Sequence, residues 1–212
     1  MEFCKFCLHV GVLSFGSFHL KSGRVSPYFF NLGTISSGKG MSRLAQLYAD
    51  VLVQQWACEG VVLFGPAYKG IPLAAATSAA LYERHGVDVL YAYNRKEVKD
   101  HGEGGRLVGA SVVGKRVIII DDVITAGTAI RESVQLIQEA GGVVEGIIVA
   151  MDRQERVSDV DPRSAVQQVC EATGVRVVPL ATLSDVIDYL KQQNENAWLA
   201  SMEQYRALYR AQ

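Results

Sequence analysis

The chain predicts an α/β fold: a central parallel sheet flanked by helices. Three features of the sequence carry that reading. Short apolar runs at 61–64, 89–93, 116–120, 144–150 and 175–179 recur along the chain, most of them separated by helical stretches such as 71–84 and 128–140. Such alternation implies parallel strands joined by right-handed helical crossovers. The run at 117–120, Val-Ile-Ile-Ile, is continuously β-branched, as expected of a strand buried on both faces. Length and composition agree, because 212 residues, 49% hydrophobic and 20% charged, bury a full core as a single domain.

Taken in order, Phe3, Phe6, Cys7 and Val10 fall at helical spacing and predict a short N-terminal helix. Residues 18–20 and 28–31 read as two short strands around the turn Lys21-Ser22-Gly23-Arg24, where glycine supports the bend. Ser37 is placed to cap a helix reaching about Trp56, with Leu44, Leu47, Tyr48, Val51 and Leu52 as its buried stripe. The βαβα pattern follows, and 184–192 and 197–208 read as helices that pack back on the body. No internal repeat or low-complexity linker interrupts the chain.

A formal charge of -1 gives no global attraction to nucleic acid or membrane, so any affinity for polyanions is local. No apolar run is long enough to span a bilayer, and the N-terminus lacks a charged leader followed by a signal-peptide core. A cytoplasmic protein is the expectation. The four cysteines make no disulfide framework. Cys4 and Cys7 have redox or zinc spacing, with His9 as a further candidate ligand, but packing of both thiols on one helix face is the favoured reading.

The chemistry gathers at residues 117–129, Val-Ile-Ile-Ile-Asp-Asp-Val-Ile-Thr-Ala-Gly-Thr-Ala. Parallel sheets bind ligands at the carboxyl ends of their strands, where Asp121 and Asp122 stand. Side by side, two carboxylates repel and call for hydroxyls, cations or a metal to share their charge; ribose hydroxyls and magnesium provide this. Residues 125–128 turn with small side chains into a helix starting near Thr128, so backbone N–H groups and the helix dipole favour a phosphate. The alternative is that the two acids merely end a strand and cap the next helix. Neither a Walker loop nor the Gly-x-Gly-x-x-Gly of dinucleotide folds is present.

Two further loops belong to the same edge. Residues 64–70, Phe-Gly-Pro-Ala-Tyr-Lys-Gly, follow a buried run and bring Lys69 near Asp121. Between Tyr93 and Arg116 lies a long connection without obvious structure that includes Arg95, Lys96, Lys99 and His101 among Gly102, Gly104 and Gly105. Four phosphate donors on a glycine-rich backbone suit a mobile lid; the alternative is a solvated charged loop, since Glu97, Asp100 and Glu103 nearly balance the cations.

Residues 117–129 resemble the phosphoribosyl pyrophosphate (PRPP) motif of type I phosphoribosyltransferases. Together with Leu20-Lys21-Ser22-Gly23-Arg24, Ser26-Pro27-Tyr28-Phe29-Phe30-Asn31, residues 64–70 and residues 94–105, they look like the orotate phosphoribosyltransferase family. The likeness spans about residues 15–156 and is carried by long, correctly ordered segments. It implies the type I fold, with a small N-terminal hood over about residues 1–36, a core over 37–212 and the lid. It also implies transfer of ribose 5-phosphate from PRPP to orotate with Mg2+, a step of pyrimidine synthesis.

By the same resemblance, Asp121 and Asp122 hold the ribose hydroxyls and, through water and PRPP, the magnesium. Val123, Ile124, Thr125, Ala126, Gly127, Thr128 and Ala129 wrap the 5-phosphate, and Lys21, Tyr68, Lys69, Arg95, Lys99 and His101 surround pyrophosphate. Lys96 corresponds to a lysine presented to the neighbouring subunit, which implies a homodimer with shared active sites. Phe29 and Phe30 line the orotate pocket, with Thr125 nearby and Arg153 holding orotate. One departure stands at Leu32-Gly33, where the family pattern leads to a small residue before the glycine and where the orotate pocket is therefore open to reshaping.

These residue types suit the chemistry. As the bond from ribose C1 to pyrophosphate breaks, positive charge grows on the sugar and negative charge on the leaving group, so carboxylates and cations act without a protein nucleophile. Losing one preorganised partner of this kind costs on the order of 10² to 10³ in rate, and Lys99 is the preferred catalytic lysine, with His101, Asp121 and Asp122 beside it. A closing lid keeps water from the cationic sugar. Two rivals remain: a PRPP-sensing regulator, opposed by the lid cations and by the lack of a basic stripe, and an enzyme for another base such as a purine. Arg153 and the Phe29-Phe30 hairpin favour an anionic pyrimidine over the latter.

Overall fold

The computed structural model describes residues 1–20, 22–99 and 105–212, with only the backbone at 98, 99 and 105. Helix α1 (Glu2–His9) buries Phe3, Cys4 and Cys7: both thiols pack into the core as free cysteines, while His9 is exposed. Strands β1 (Leu13–His19) and β2 (Val25–Phe30) pair antiparallel. Both begin earlier than the sequence suggests. The register of β1 slips between Phe15 and Phe18, around Gly16 and Ser17, and such a bulge breaks the two-residue alternation by which a strand is recognised.

Ser37 caps α2 (Gly38–Gln55) by accepting the Gly40 N–H at 3.1 Å, and the helix buries Leu44, Leu47, Tyr48 and Leu52. The main sheet comprises β3 (Val61–Gly65), β4 (Leu90–Lys99), β5 (Gly105–Gly109), β6 (Arg116–Val123), β7 (Val143–Asp152) and β8 (Val177–Thr182) in the order β5-β4-β3-β6-β7-β8. All pairings are parallel except that of β5 on β4. The connection predicted to lack structure is thus, on both its arms, a β-hairpin. Alternating charges at Lys96, Glu97 and Lys99 hide it, because an edge arm needs no apolar face.

Helices α3 (Gly70–His85), α4 (Thr128–Glu139), α5 (Ala165–Thr173), α6 (Leu183–Gln193) and α7 (Asn196–Tyr209) complete the chain. Residues Leu63, Ile118, Ile120 and Ile148 pack on the face of α2 and α3, whereas Phe64, Val117, Ile119 and Ile147 pack on that of α4 and α5. Every one of these side chains is fully buried. That two-sided burial explains the unbroken apolar run at 117–120.

From β3 the chain crosses through α3 to β4 on one side, and from β6 through α4 to β7 on the other. The sheet order therefore reverses between β3 and β6. A crevice opens outside the carboxyl ends of strands at such a switch point, and here it lies between the loops that follow Gly65 and Val123. At the other end of the chain α7 lies against the hairpin, with Phe15 stacked on Trp198 at 6.0 Å and Tyr28 edge-on to Tyr205 at 6.0 Å. Phe3, Cys4 and Cys7 share one core with Leu183, Ile187, Leu190 and Met202.

Candidate active site

Strand β6 continues through both acids to Val123, three residues beyond the apolar run that announced it. Asp122 is buried, and its Oδ2 lies 2.5 Å from Lys69 Nζ. Each carboxylate also accepts the next main-chain N–H, Asp121 Oδ1 from Asp122 at 2.9 Å and Asp122 Oδ1 from Val123 at 2.8 Å. Below them the buried Tyr48 hydroxyl donates to the Asp121 carbonyl at 2.9 Å. Burial pushes the Asp121 carboxyl up to about 7, the neighbouring Asp122 adds to this, and the Asp122 N–H and Lys69 oppose it. A buried acid with too little counter-charge is suited to receive hydroxyl donors and a cation.

Lys69 reaches Asp122 because the loop before it is very tight. A Cβ on Gly65 would stand 2.1 Å from the Gly70 carbonyl oxygen, so only glycine permits the turn. Asn94, at the end of regular β4 pairing, accepts the Ala67 N–H on its Oδ1 at 2.8 Å and ties this loop to the β4-β5 pair. Tyr68 projects into solvent, and Lys96 Nζ sits 4.6 Å from the centre of its ring. Arg95 lies beside it on β4.

The loop of residues 124–127 begins where β6 ends. Ile124 is buried among the side chains of the α4 face, so only its backbone is available to a ligand, whereas Thr125, Ala126, Thr128 and Ala129 are exposed. The N–H groups of Thr125, Ala126 and Gly127 have no hydrogen-bond partner among the described residues. Gly127 holds φ +71° as the residue before α4, and a Cβ there would meet Val169 at 2.6 Å. Arg131 donates from Nη2 to the Ala126 carbonyl at 2.9 Å, leaving the loop's N–H side open. Free N–H groups beside a helix N-terminus form an anion cradle.

On the hairpin side, Arg153 follows β7 and donates from Nε to the Tyr28 hydroxyl at 3.1 Å and to Glu155 Oε1 at 2.9 Å. Its Nη2 is buried 2.8 Å from the same Glu155 oxygen, an ion pair without hydrogen-bond alignment. Nη1 has no partner among the described residues, and the side chain keeps 28% of its surface open. Burial works against its charge, but Tyr28 and Glu155 more than offset this and hold the guanidinium protonated. Phe29 and Phe30 point to opposite faces of β2, Phe29 stacked on Phe18 at 5.4 Å and Phe30 against Phe3 at 6.3 Å. Leu32, the departure from the family pattern, buries its side chain in the main core.

The structure thus joins Asp122 to Lys69, Lys96 to Tyr68, and the Phe29-Phe30 strand to Arg153 through Tyr28. Lys21, His101, Gly102 and Gly104 lie outside the described residues, as does the Lys99 side chain. Sequence reasoning assigned no part to Asn94, Arg131 or Glu155. Asn94 opens the segment 94–105 and Glu155 lies two residues past Arg153, so their signal was position, whereas Arg131 reaches the loop only once α4 is folded. Among the described residues no cluster of three or more His, Cys, Asp or Glu could hold a metal by itself, and no helix is long and apolar enough to cross a membrane.

Comparison with known proteins decides the family. Residues 39–194 match the family model of the phosphoribosyl transferase domain. The orotate phosphoribosyltransferase of Acinetobacter baumannii (strain ACICU) is 54% identical over 208 residues, covering 98% of this chain and 94% of that one. The chain belongs to the orotate phosphoribosyltransferase family. The orotate phosphoribosyltransferase of Thioalkalivibrio sulfidiphilus (strain HL-EbGR7) is 52% identical, covering 98% of this chain and 96% of its own. The crystal structure of orotate phosphoribosyltransferase from Francisella tularensis matches with a TM-score of 0.89 at 37% identity, covering 99% of each chain. The fold is therefore that of the type I phosphoribosyltransferases, as the sequence predicted. The likeness to orotate phosphoribosyltransferases extends past Arg156 into the C-terminal helices, where the motifs fall silent.

Proposed function

We propose that this chain transfers ribose 5-phosphate from PRPP to the ring nitrogen of orotate, giving orotidine 5'-monophosphate and pyrophosphate. The observation that carries this reading is the meeting of two half-sites. At the switch point, Asp122, paired with Lys69, stands on the strand that leads into residues 125–127, whose N–H groups have no partner among the described residues. At the same sheet edge, Arg153 offers a guanidinium edge braced by the hairpin. The first half suits a phosphorylated ribose and the second an anionic planar base.

In this reading the main chain of residues 123–129 holds the 5-phosphate, while Asp121 and Asp122 accept from the ribose hydroxyls and favour the cationic sugar. Lys69, Tyr68, Arg95 and Lys21 meet the pyrophosphate, and Lys99 and His101 approach it from the lid. Phe29, Phe30 and Thr125 border the base, which Arg153 orients for attack on C1. The paired carboxyls, with Asp121 pushed up by burial, suit Mg2+ held through water and the ribose hydroxyls. When bound, magnesium neutralises charge on the departing pyrophosphate.

The finer reading is a cytoplasmic homodimer in which Lys96 serves the neighbouring site. Exposed Tyr82, Leu90 and Tyr91 on α3 and β4, the strand that carries Lys96, support an interface there. Purified protein with PRPP, magnesium and orotate should deplete orotate absorbance in the ultraviolet. Turnover with adenine or hypoxanthine but not orotate would overturn the base assignment, and PRPP binding without any turnover would favour a regulator.

A further inference from the structure

The segment that carries Arg153 does not hold its own shape. Gln154 adopts φ 53°, a left-handed conformation that a side-chain-bearing residue keeps only when its surroundings impose it. Its N–H donates to Asp152 Oδ1 at 2.8 Å, and its side-chain oxygen accepts from Ser184 N at 3.0 Å and Oγ at 2.7 Å. Its carbonyl accepts from the N–H of Ala211, at the far end of the chain, at 2.9 Å.

That last bond belongs to a short zipper. Arg156 N–H donates to the Tyr209 carbonyl at 2.8 Å, so that Glu155 and Arg210 pair as an antiparallel bridge. Further along, Gln212 N–H donates to the Pro162 carbonyl at 3.0 Å, and Gln167 Nε2 to the Gln212 carbonyl at 3.1 Å. Arg156 Nη1 also holds the Leu208 carbonyl. Side chains reinforce the backbone: the Tyr209 ring lies 4.6 Å from the Arg24 guanidinium and packs on Tyr205, which meets Tyr28 edge-on.

Each group that fixes the Arg153 side chain is therefore fixed in turn from α7 or the residues after it. Glu155, which accepts from Arg153 and from the Tyr28 hydroxyl, has its backbone bridged to Arg210. Tyr28, the other partner of Arg153, is braced by Tyr205. We infer that residues 209–212 are a positioning element for base recognition: zipped to residues 154–156, they set the place and direction of the Arg153 guanidinium. This rests on the reading of Arg153 as the group that holds orotate. The Asp122-Lys69 pair and the loop of residues 124–127, carried by β6 and β3, share none of these bonds.

The test uses the full chain and steady-state KM values for orotate and for PRPP. Ala211→Pro removes the N–H that Gln154 accepts, and Arg156→Met removes the side-chain clasp on α7 while keeping an apolar stem. Both should raise the orotate KM about tenfold, the scale of one displaced hydrogen bond to a charged group, with the PRPP KM within about twofold of the parent by the same reasoning. Val160→Ala, at an exposed side chain outside the zipper, should leave both KM values alone. Should Ala211→Pro not fold, Arg156→Met decides. Variants that melt earlier yet keep the parent's orotate KM would reduce the zipper to a structural tie and overturn the inference. Arg153→Ala runs alongside: if it leaves the orotate KM unchanged, the reading of Arg153 itself falls, and the inference falls with it.

Discussion

Replacing Asp121 with asparagine should stabilise the ligand-free protein at neutral and alkaline pH while weakening its hold on PRPP. The folded-state carboxyl titrates at about 7 against 3.8 for the free group, so the folded protein binds this proton more tightly than the unfolded chain does. Its ionisation therefore costs stability progressively as pH rises from about 4 to about 7, and the whole cost is present above that. At ~1.4 kcal/mol per pH unit the ceiling is ~4 kcal/mol. Asparagine keeps an oxygen for the Asp122 N–H but gives up the attraction of Lys69, so a net gain of ~2 kcal/mol is expected. For a chain of this length that is a rise of roughly 4–8 °C in Tm. The assay is thermal denaturation of parent and variant from pH 4 to pH 8.5, in chelator and without PRPP. The two should coincide near pH 4 and diverge upward to about pH 7. A variant no more stable than the parent at pH 8, or equally displaced at every pH, would refute the argument that burial of this charge is a cost borne for ligand binding.

Three other outcomes are expected. Gly127→Ala should destabilise by about 2 kcal/mol or more, since alanine resists positive φ by ~1–2 kcal/mol and its Cβ would meet Val169; calorimetry and PRPP titration should both register the loss. Subunits bearing Lys96→Ala, mixed with subunits inactivated at Asp121 and Asp122, should regain activity in proven heterodimers, and no recovery would count against donation of Lys96 across the interface. In the native protein a disulfide reagent should label Cys170, which is partly exposed, before the others. Burial pushes the thiols of Cys4, Cys7 and Cys58 up, so these should react on unfolding alone; mass spectrometry of the labelled peptides decides.

What the sequence could express depended on whether side chains or main chain did the work. Val117 to Ile120 advertise β6 because each is buried on one face of a two-sided sheet, and Ser37 marks the start of α2 because its hydroxyl is the cap. The acids, Lys69 and Gly127 were legible because a charge pair at a strand's carboxyl end and a positive φ before a helix require those residue types. By contrast, α5 buries little beyond Val169 and so shows no apolar stripe; its clearest signal, the capping box of Ser164 and Gln167, passed unread. The zipper of residues 209–212 is made of backbone bonds, which leave no mark on composition. Both described arms of the β4-β5 pair carry charged side chains, and these mask its β periodicity.

The shared core of α1, the β1-β2 hairpin, α6 and α7 has a consequence for how the chain matures. Tyr28 finds its ring partner Tyr205 across most of the sequence, and such distant contacts form late, after their loop-closure entropy is met. During synthesis the sheet strands and the loops at their carboxyl ends are made before α7 exists. A nascent chain that has reached only β8 thus already holds Lys69, Asp121, Asp122 and the loop of residues 124–127, while the ring on α7 that braces Tyr28 is still to be made. If Arg153 holds orotate as proposed, base recognition becomes available only after α7 has been made, later than the ribose-phosphate half.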